Sequence, residues 1–253
     1  MHLPKVNPMY RRAFTLIELL IVIGIIALLI SIILPGLARA RQMGLRTKCL
    51  GALHEVGEAL SAYYNVNEDR FPLSSAHGGY QPGTAWLDTL MPNSDKNLIY
   101  RCPADNPAVK RVTSYGINIF MDPNDDDWFP DNPSGIPPRG YMNLSQIKDT
   151  SRAIFVGELT DYDQNRNPVT ADHMHPDMWG TNPFTGYGGL DPKYEIAMQR
   201  HVGGENYLFA DGHAAWSTFD QTWKLDDTGQ KKLIDLWDPG FPHPPNGWYQ
   251  PNL

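Results

Sequence analysis

The sequence predicts an α+β protein. One long N-terminal helix, membrane-length in its first half, leads into a head built on a small antiparallel β-sheet with long loops. Three observations carry this. Every residue from Leu19 to Leu34 is apolar except Gly24 and Ser31. Downstream, Leu45, Cys49, Leu53, Val56, Leu60 and Tyr63 recur at helical spacing. Near the C-terminus two apolar runs flank Asp211-Gly212, a strong hairpin signal.

The apolar run, extended back through Phe14, is about 20 residues long, enough to cross a ~30 Å hydrocarbon core. It holds one charge, Glu18. A charge at the centre of a bilayer costs about 2.5–3.5 kcal/mol, so such a residue usually has a partner. Two plainer readings of the run stay open: a single-pass anchor, or a secretory signal cut after Ala38-Arg39-Ala40. A run much longer than about 7–15 residues, with a carboxylate in it, opposes the second. Basic residues flank both ends (Arg11 and Arg12; Arg39, Arg41, Arg46 and Lys48), so charge does not set the orientation.

The amphipathic stretch continues the helix to about Asn65–Asp69, with Pro35-Gly36 expected to kink or loosen it. In the head, 153–157 (AIFVG), 206–210 (NYLFA) and 213–218 (HAAWST) read as strands, and 114–120 (SYGINIF) as a further extended piece. Residues 121–140 and 161–192 carry turn chemistry throughout.

Charge divides the chain. Residues 1–40 hold Lys5, Arg11, Arg12 and Arg39 against Glu18, a net of +3; the whole chain is −7, which leaves −10 beyond them. An acidic head is a poor nucleic-acid binder, which needs basic stripes, and suits hard cations better. Asp161-x-Asp163-x-Asn165-x-Asn167 alternates oxygen donors like the start of a calcium loop, without its glycine and closing glutamate. Asp122, Asp125, Asp126, Asp127 and Asp131 form a second acidic group. Solvated turn formation is the commoner role for both sets. His173-x-His175, and His201 with Asp211 and His213, invite a zinc-hydrolase reading. The simpler account makes Asp211-Gly212 a turn braced by His201. No G-x-S-x-G, phosphate loop or H-E-x-x-H occurs. Seven Trp and twelve Tyr could line a glycan groove or fill a core.

Arg11-Arg12-Ala13-Phe14-Thr15-Leu16-Ile17-Glu18-Leu19-Leu20 resembles the processing site of type IV prepilins and type II secretion pseudopilins. The resemblance implies that a peptidase removes residues 1–13 between Ala13 and Phe14 and that the new terminus is methylated. It departs from the family at Ala13, where Gly is usual. Counting from Phe14, Glu18 is fifth and Pro35 twenty-second, as in that family. There the glutamate is thought to meet the freed amino group of a neighbouring subunit. The implied organisation is leader 1–13, transmembrane helix 14–37, amphipathic continuation 38–69 and a pilin-like head 70–253.

A second resemblance runs through Lys48-Cys49-Leu50, Asp69-Arg70-Phe71-Pro72, Ile99 to Asp105, Ser114-Tyr115-Gly116, and His201 followed after nine residues by Asp211-Gly212. It is to large bacterial pseudopilin-like proteins with an H-x9-DG signature. Together the resemblances imply a non-enzymatic filament subunit. Its partners are the prepilin peptidase and methylase, other pseudopilins and inner-membrane lipid. It spans the membrane once, with its head in the periplasm or outside the cell. In such a location Cys49 and Cys102 are expected to form a disulfide, with two buried free thiols as the alternative. The alternative is a metal-dependent hydrolase or glycan-binding head borrowing a pilin-type anchor.

Overall fold

The computed structural model describes residues 15–75, 85–91, 100–122, 142–176, 179, 189–225 and 232–238. The chain forms two compact units, Met1–Arg41 and Gln42–Leu253. Helix α1 (Leu16–Val66) runs through both.

Within the first unit the helix is exposed along its whole described length, its apolar side chains included. Among the described helices, α1 is the one long and apolar enough to cross a membrane. Pro35 lies inside it without ending it. The ring removes one backbone donor, so the bond to Ser31 C=O is forfeited there. The chain therefore stays helical across Pro35-Gly36, with one backbone bond fewer there.

In the second unit α1 buries Cys49, Ala52, Leu53, Val56, Gly57, Leu60 and Tyr64. The expected stripe holds from Cys49 to Leu60. It ends on Tyr64, not Tyr63, which is only half-buried, and Leu45 is half-buried too. This face packs on a five-stranded sheet of order β3-β1-β2-β4-β5. The strands are β1 (Tyr115–Asn118), β2 (Ile154–Glu158), β3 (His173–Met174), β4 (Glu205–Phe209) and β5 (Ala214–Ser217). Neighbours are antiparallel except β1 and β3. The fold is the expected α+β class, a long helix on a small, mostly antiparallel sheet in pilin-like fashion. Strand alternation divides the core: Leu208 faces the α1 side with Phe155 and Tyr115, while Tyr207 and Phe209 face a second cluster around Trp179 and Trp237. That second layer includes helix α3 (Phe219–Thr222) and a ribbon of β6 (Trp223–Leu225) and β7 (Lys232–Asp235). Short helix α2 (Trp86–Leu90) adds Trp86 and Leu87 to the first.

The hairpin lies where the sequence places it, but its loop is longer than two residues. Gly212 N–H donates to Phe209 C=O at 2.9 Å, closing a turn centred on Ala210-Asp211, and Phe209 N–H donates to His213 C=O. Gly212 follows in the left-handed region at φ 89°, a three-residue turn plus glycine bulge. A Cβ on Gly57 would lie 2.0 Å from Gly212 O, so helix and turn touch backbone to backbone. A side chain on Gly212 would meet Ser61 Oγ at 2.7 Å. The glycine of the signature is therefore needed twice, for its φ and for this approach.

Candidate functional site

Two places carry polar groups whose position demands an account: the start of α1 and a closed cluster beneath its second half.

Thr15 precedes the first helical residue. Its N–H and hydroxyl both donate to Glu18 Oε2, at 2.9 and 2.8 Å, and Thr15 Oγ1 accepts from Glu18 N–H at 3.2 Å. This is the reciprocal capping box, Thr-x-x-Glu, which satisfies otherwise orphaned helix-start donors. Glu18 is thus engaged through one oxygen at the head of an apolar helix. The expected processing residues Ala13 and Phe14 lie outside the described residues.

The cluster comprises Cys49 from α1, Cys102 from the loop before β1, Glu158 at the end of β2 and His201 from the turn before β4. Their ligand-capable atoms all lie within 4.8 Å of one another. His201 Nε2 is 2.9 Å from Glu158 Oε1 and 3.2 Å from Cys102 Sγ. Cys49 Sγ is 3.3 Å from Glu158 Oε1 and 2.9 Å from the Tyr115 hydroxyl. Cys49 and Glu158 are fully buried, and His201 and Cys102 nearly so.

Surrounding groups hold these four. Ala104 N–H points at Cys102 Sγ from 3.3 Å. Arg200 Nη1 donates to the other Glu158 oxygen at 3.3 Å, turning Oε1 inward. Arg200 also pairs with Asp105 and Asp161, and Arg101 and Arg111 complete a buried network around Asp105. His201 sits in a tight turn, its N–H donating to Gly204 C=O at 2.8 Å. The next residue, Val202, has φ 55°. A β-branched residue there costs about 1–3 kcal/mol and persists only where its surroundings impose it.

The groups share protons. Burial opposes charge on the His201 ring, but Cys102 and Glu158 outweigh it and raise its pKa to about 9. The hydrogen bond from Cys49 brings the Cys102 thiol down to about 7, while burial pushes the Cys49 thiol up. Burial also opposes charge on Glu158, but His201, Arg200 and Cys49 hold it below the usual carboxylate range.

A nucleophile–base–acid relay needs one ring nitrogen for the nucleophile and the other for the acid. Here Nε2 faces both Cys102 and Glu158, and Nδ1 has no hydrogen-bond partner among the described residues. The cluster does not have the layout of such a relay.

Several expected site residues have partners within the protein. His201 does not brace the Asp211-Gly212 turn; its ring points into the cluster, and Asp211 Oδ1 instead accepts from His213 N–H and meets the His213 ring. The two cysteines converge, but both are free thiols, so the expected bond between them is not formed. Glu158 and His201 crowd the same space and take up the sulfurs' contacts. In the 161–167 loop, Asp161 Oδ1 is held by Arg200 and Arg111. Asp163 accepts from the backbone of Asn165 and Asn167. The Asn167 side chain turns inward to donate to Asp163 Oδ2, so three of the four proposed donors serve the protein's own turn and arginines. His173 and His175 lie 4.9 Å apart ring to ring, with His175 held by Glu195. Of the second acidic group, Asp122 is buried and accepts from Ser74 N–H, and the rest lie outside the described residues. Sequence reasoning missed Glu158, although a charged residue closing a wholly apolar strand was a signal that could have found it.

Among families of known proteins, the prokaryotic N-terminal methylation motif matches residues 8–34. No curated protein and no solved structure matches the chain.

Proposed function

We propose that this chain is a pilin-like structural subunit of a type II secretion or type IV pilus-like system, cut by a prepilin peptidase, methylated at its new N-terminus and assembled through α1. The observation that carries the reading is the methylation motif over residues 8–34 placed at the head of one membrane-length helix. The peptidase cuts between Ala13 and Phe14, and the single-pass helix holds the subunit in the bacterial inner membrane with its head outside the cytoplasm. Neighbouring subunits then pack helix against helix. The apolar side chains of α1 that stand exposed in a single chain become the contact surface with lipid and other stems. Glu18 offers its remaining oxygen to a neighbour's amino terminus, since two opposite charges in low dielectric are tolerable only as a pair. The H-x9-DG segment has a structural part in this scheme. It supplies the turn that α1 rests on at Gly57 and the histidine that enters the cluster beneath the helix.

Intact-mass measurement and N-terminal sequencing of protein purified from its native membrane test the proposal. The expected species lacks residues 1–13 and begins with N-methyl-phenylalanine. A terminus at Met1, or at Arg41 after a secretory cut, overturns it.

A further inference from the structure

We propose that the head holds a structural zinc ion between Cys49, Cys102, Glu158 and His201. The argument begins with donor chemistry. Two thiols, an imidazole nitrogen and a carboxylate oxygen are the ligand types zinc takes, in the number of a closed structural site. Geometry follows. Zinc–sulfur bonds near 2.3 Å and zinc–nitrogen or –oxygen bonds near 2.0–2.1 Å give a tetrahedron with edges of about 3.3–3.8 Å. Three edges of the cluster measure 2.9, 3.2 and 3.3 Å, and none exceeds 4.8 Å. Small side-chain movements bring these edges to the span of a zinc tetrahedron.

Charge supports the same occupant. With both thiols ionised and the histidine neutral, the ligands carry three negative charges. Zinc supplies two positive charges and Arg200, paired to the outer oxygen of Glu158, the third. The remaining pairs are already balanced, with Arg101 and Arg111 on Asp105 and Asp161.

The surroundings are those of a built site. The Ala104 N–H directed at Cys102 Sγ and the Tyr115 hydroxyl at Cys49 Sγ stabilise thiolates, and Arg200 orients the carboxylate. The four ligands come from α1, the loop before β1, the end of β2 and the turn before β4. One ion therefore ties the helix to the sheet and to the turn before β4 that carries His201. A disulfide joins only two of these segments and leaves Glu158 and His201 packed against an uncharged bridge. Metal and disulfide use the same sulfurs and exclude each other.

The experiment uses the full chain, purified in detergent through a tag without histidines and without chelator. Elemental analysis is expected to give equimolar zinc. Exchange of zinc for cobalt is expected to give strong thiolate-to-metal charge transfer in the near ultraviolet and the visible bands of a tetrahedral ion. Cys102→Ser and His201→Asn should each lose the metal, and Asp163→Ala should keep it. Trace zinc only, or a Cys49–Cys102 disulfide in the native protein, overturns the proposal. So does a folded His201→Asn chain that retains equimolar zinc. Should the variants not fold, the cobalt spectrum of the unaltered chain decides, and absence of thiolate charge transfer counts against the site. None of these readouts depends on leader cleavage, so the site and the filament reading fail separately.

Discussion

The first unit and the second solve the same problem, polar groups among apolar ones, in opposite ways. In the described part of the first, almost every side chain is apolar and exposed, and the single acidic residue is satisfied within one helical turn by Thr15. In the second, charged groups lie at the centre and are satisfied by partners far apart in sequence: Cys49 meets Glu158 and Arg200 meets Asp105. Local satisfaction suits a segment that must enter lipid before it meets its neighbours, because the helix closes its own backbone bonds. Long-range satisfaction suits a head whose polar core forms only when the whole chain has folded, which makes it specific and vulnerable together.

The largest effect that tests this contrast is on the stem. Glu18→Ala should still insert, since the segment becomes more apolar, but should fail to assemble. Membrane fractionation with cross-linking between subunits in vivo measures both. Wild-type cross-linking by Glu18→Ala would mean that the carboxylate serves only the capping box.

On the head side, Gly57→Ala places a methyl group 2.0 Å from Gly212 O, against backbone that cannot rotate away. Overpacking of this kind costs about 1–3 kcal/mol or more, which lowers the melting temperature by roughly 2–12 °C in a domain of this size. An unchanged melting temperature would show that helix and turn do not touch as described.

A smaller effect comes from pH. Burial opposes charge on Glu195, but His175 and Trp179 hold its carboxyl below the usual range. A carboxylate with a lowered folded pKa adds stability above its unfolded pKa and loses it as pH falls through the folded one. The head should therefore melt progressively lower as pH drops through the ordinary carboxylate range and beneath it. Glu195→Gln should flatten part of that slope, and an identical slope in the variant would remove Glu195 from the account.

The same contrast explains what the sequence discloses. The stem is legible because its information is local: an apolar run and a motif of fixed spacing. The face of α1 from Cys49 to Leu60 and strands β1, β2, β4 and β5 are legible from period and turn chemistry. Two-residue β3 and five-residue α2 are too short for periodicity to register. The cluster is illegible for a different reason. Its members are separated by tens of residues, and only the pairing of β2 with β1 and β4 brings Glu158 beside the others. His201 could be noticed through its signature, but its partner could not be read from it, which is how it came to be assigned to the turn.

The smallest effect is the most discriminating for Glu18. Thr15→Ala removes the hydroxyl that donates to Glu18 Oε2 and accepts from Glu18 N–H. Replacing an N-cap threonine costs about 1 kcal/mol, little for a 51-residue helix. What changes is the freedom of the carboxylate. If Glu18 matters chiefly as the second half of the capping box, Thr15→Ala and Glu18→Ala break the same motif and should impair assembly alike. If it matters as the partner of a neighbouring amino terminus, Thr15→Ala leaves the charge in place, with Oε2 still held by the residue-15 N–H and Oε1 still available, and cross-linking should stay near wild type while Glu18→Ala loses it. The two variants, compared in one membrane preparation, separate a residue that starts its own helix from one that binds the next.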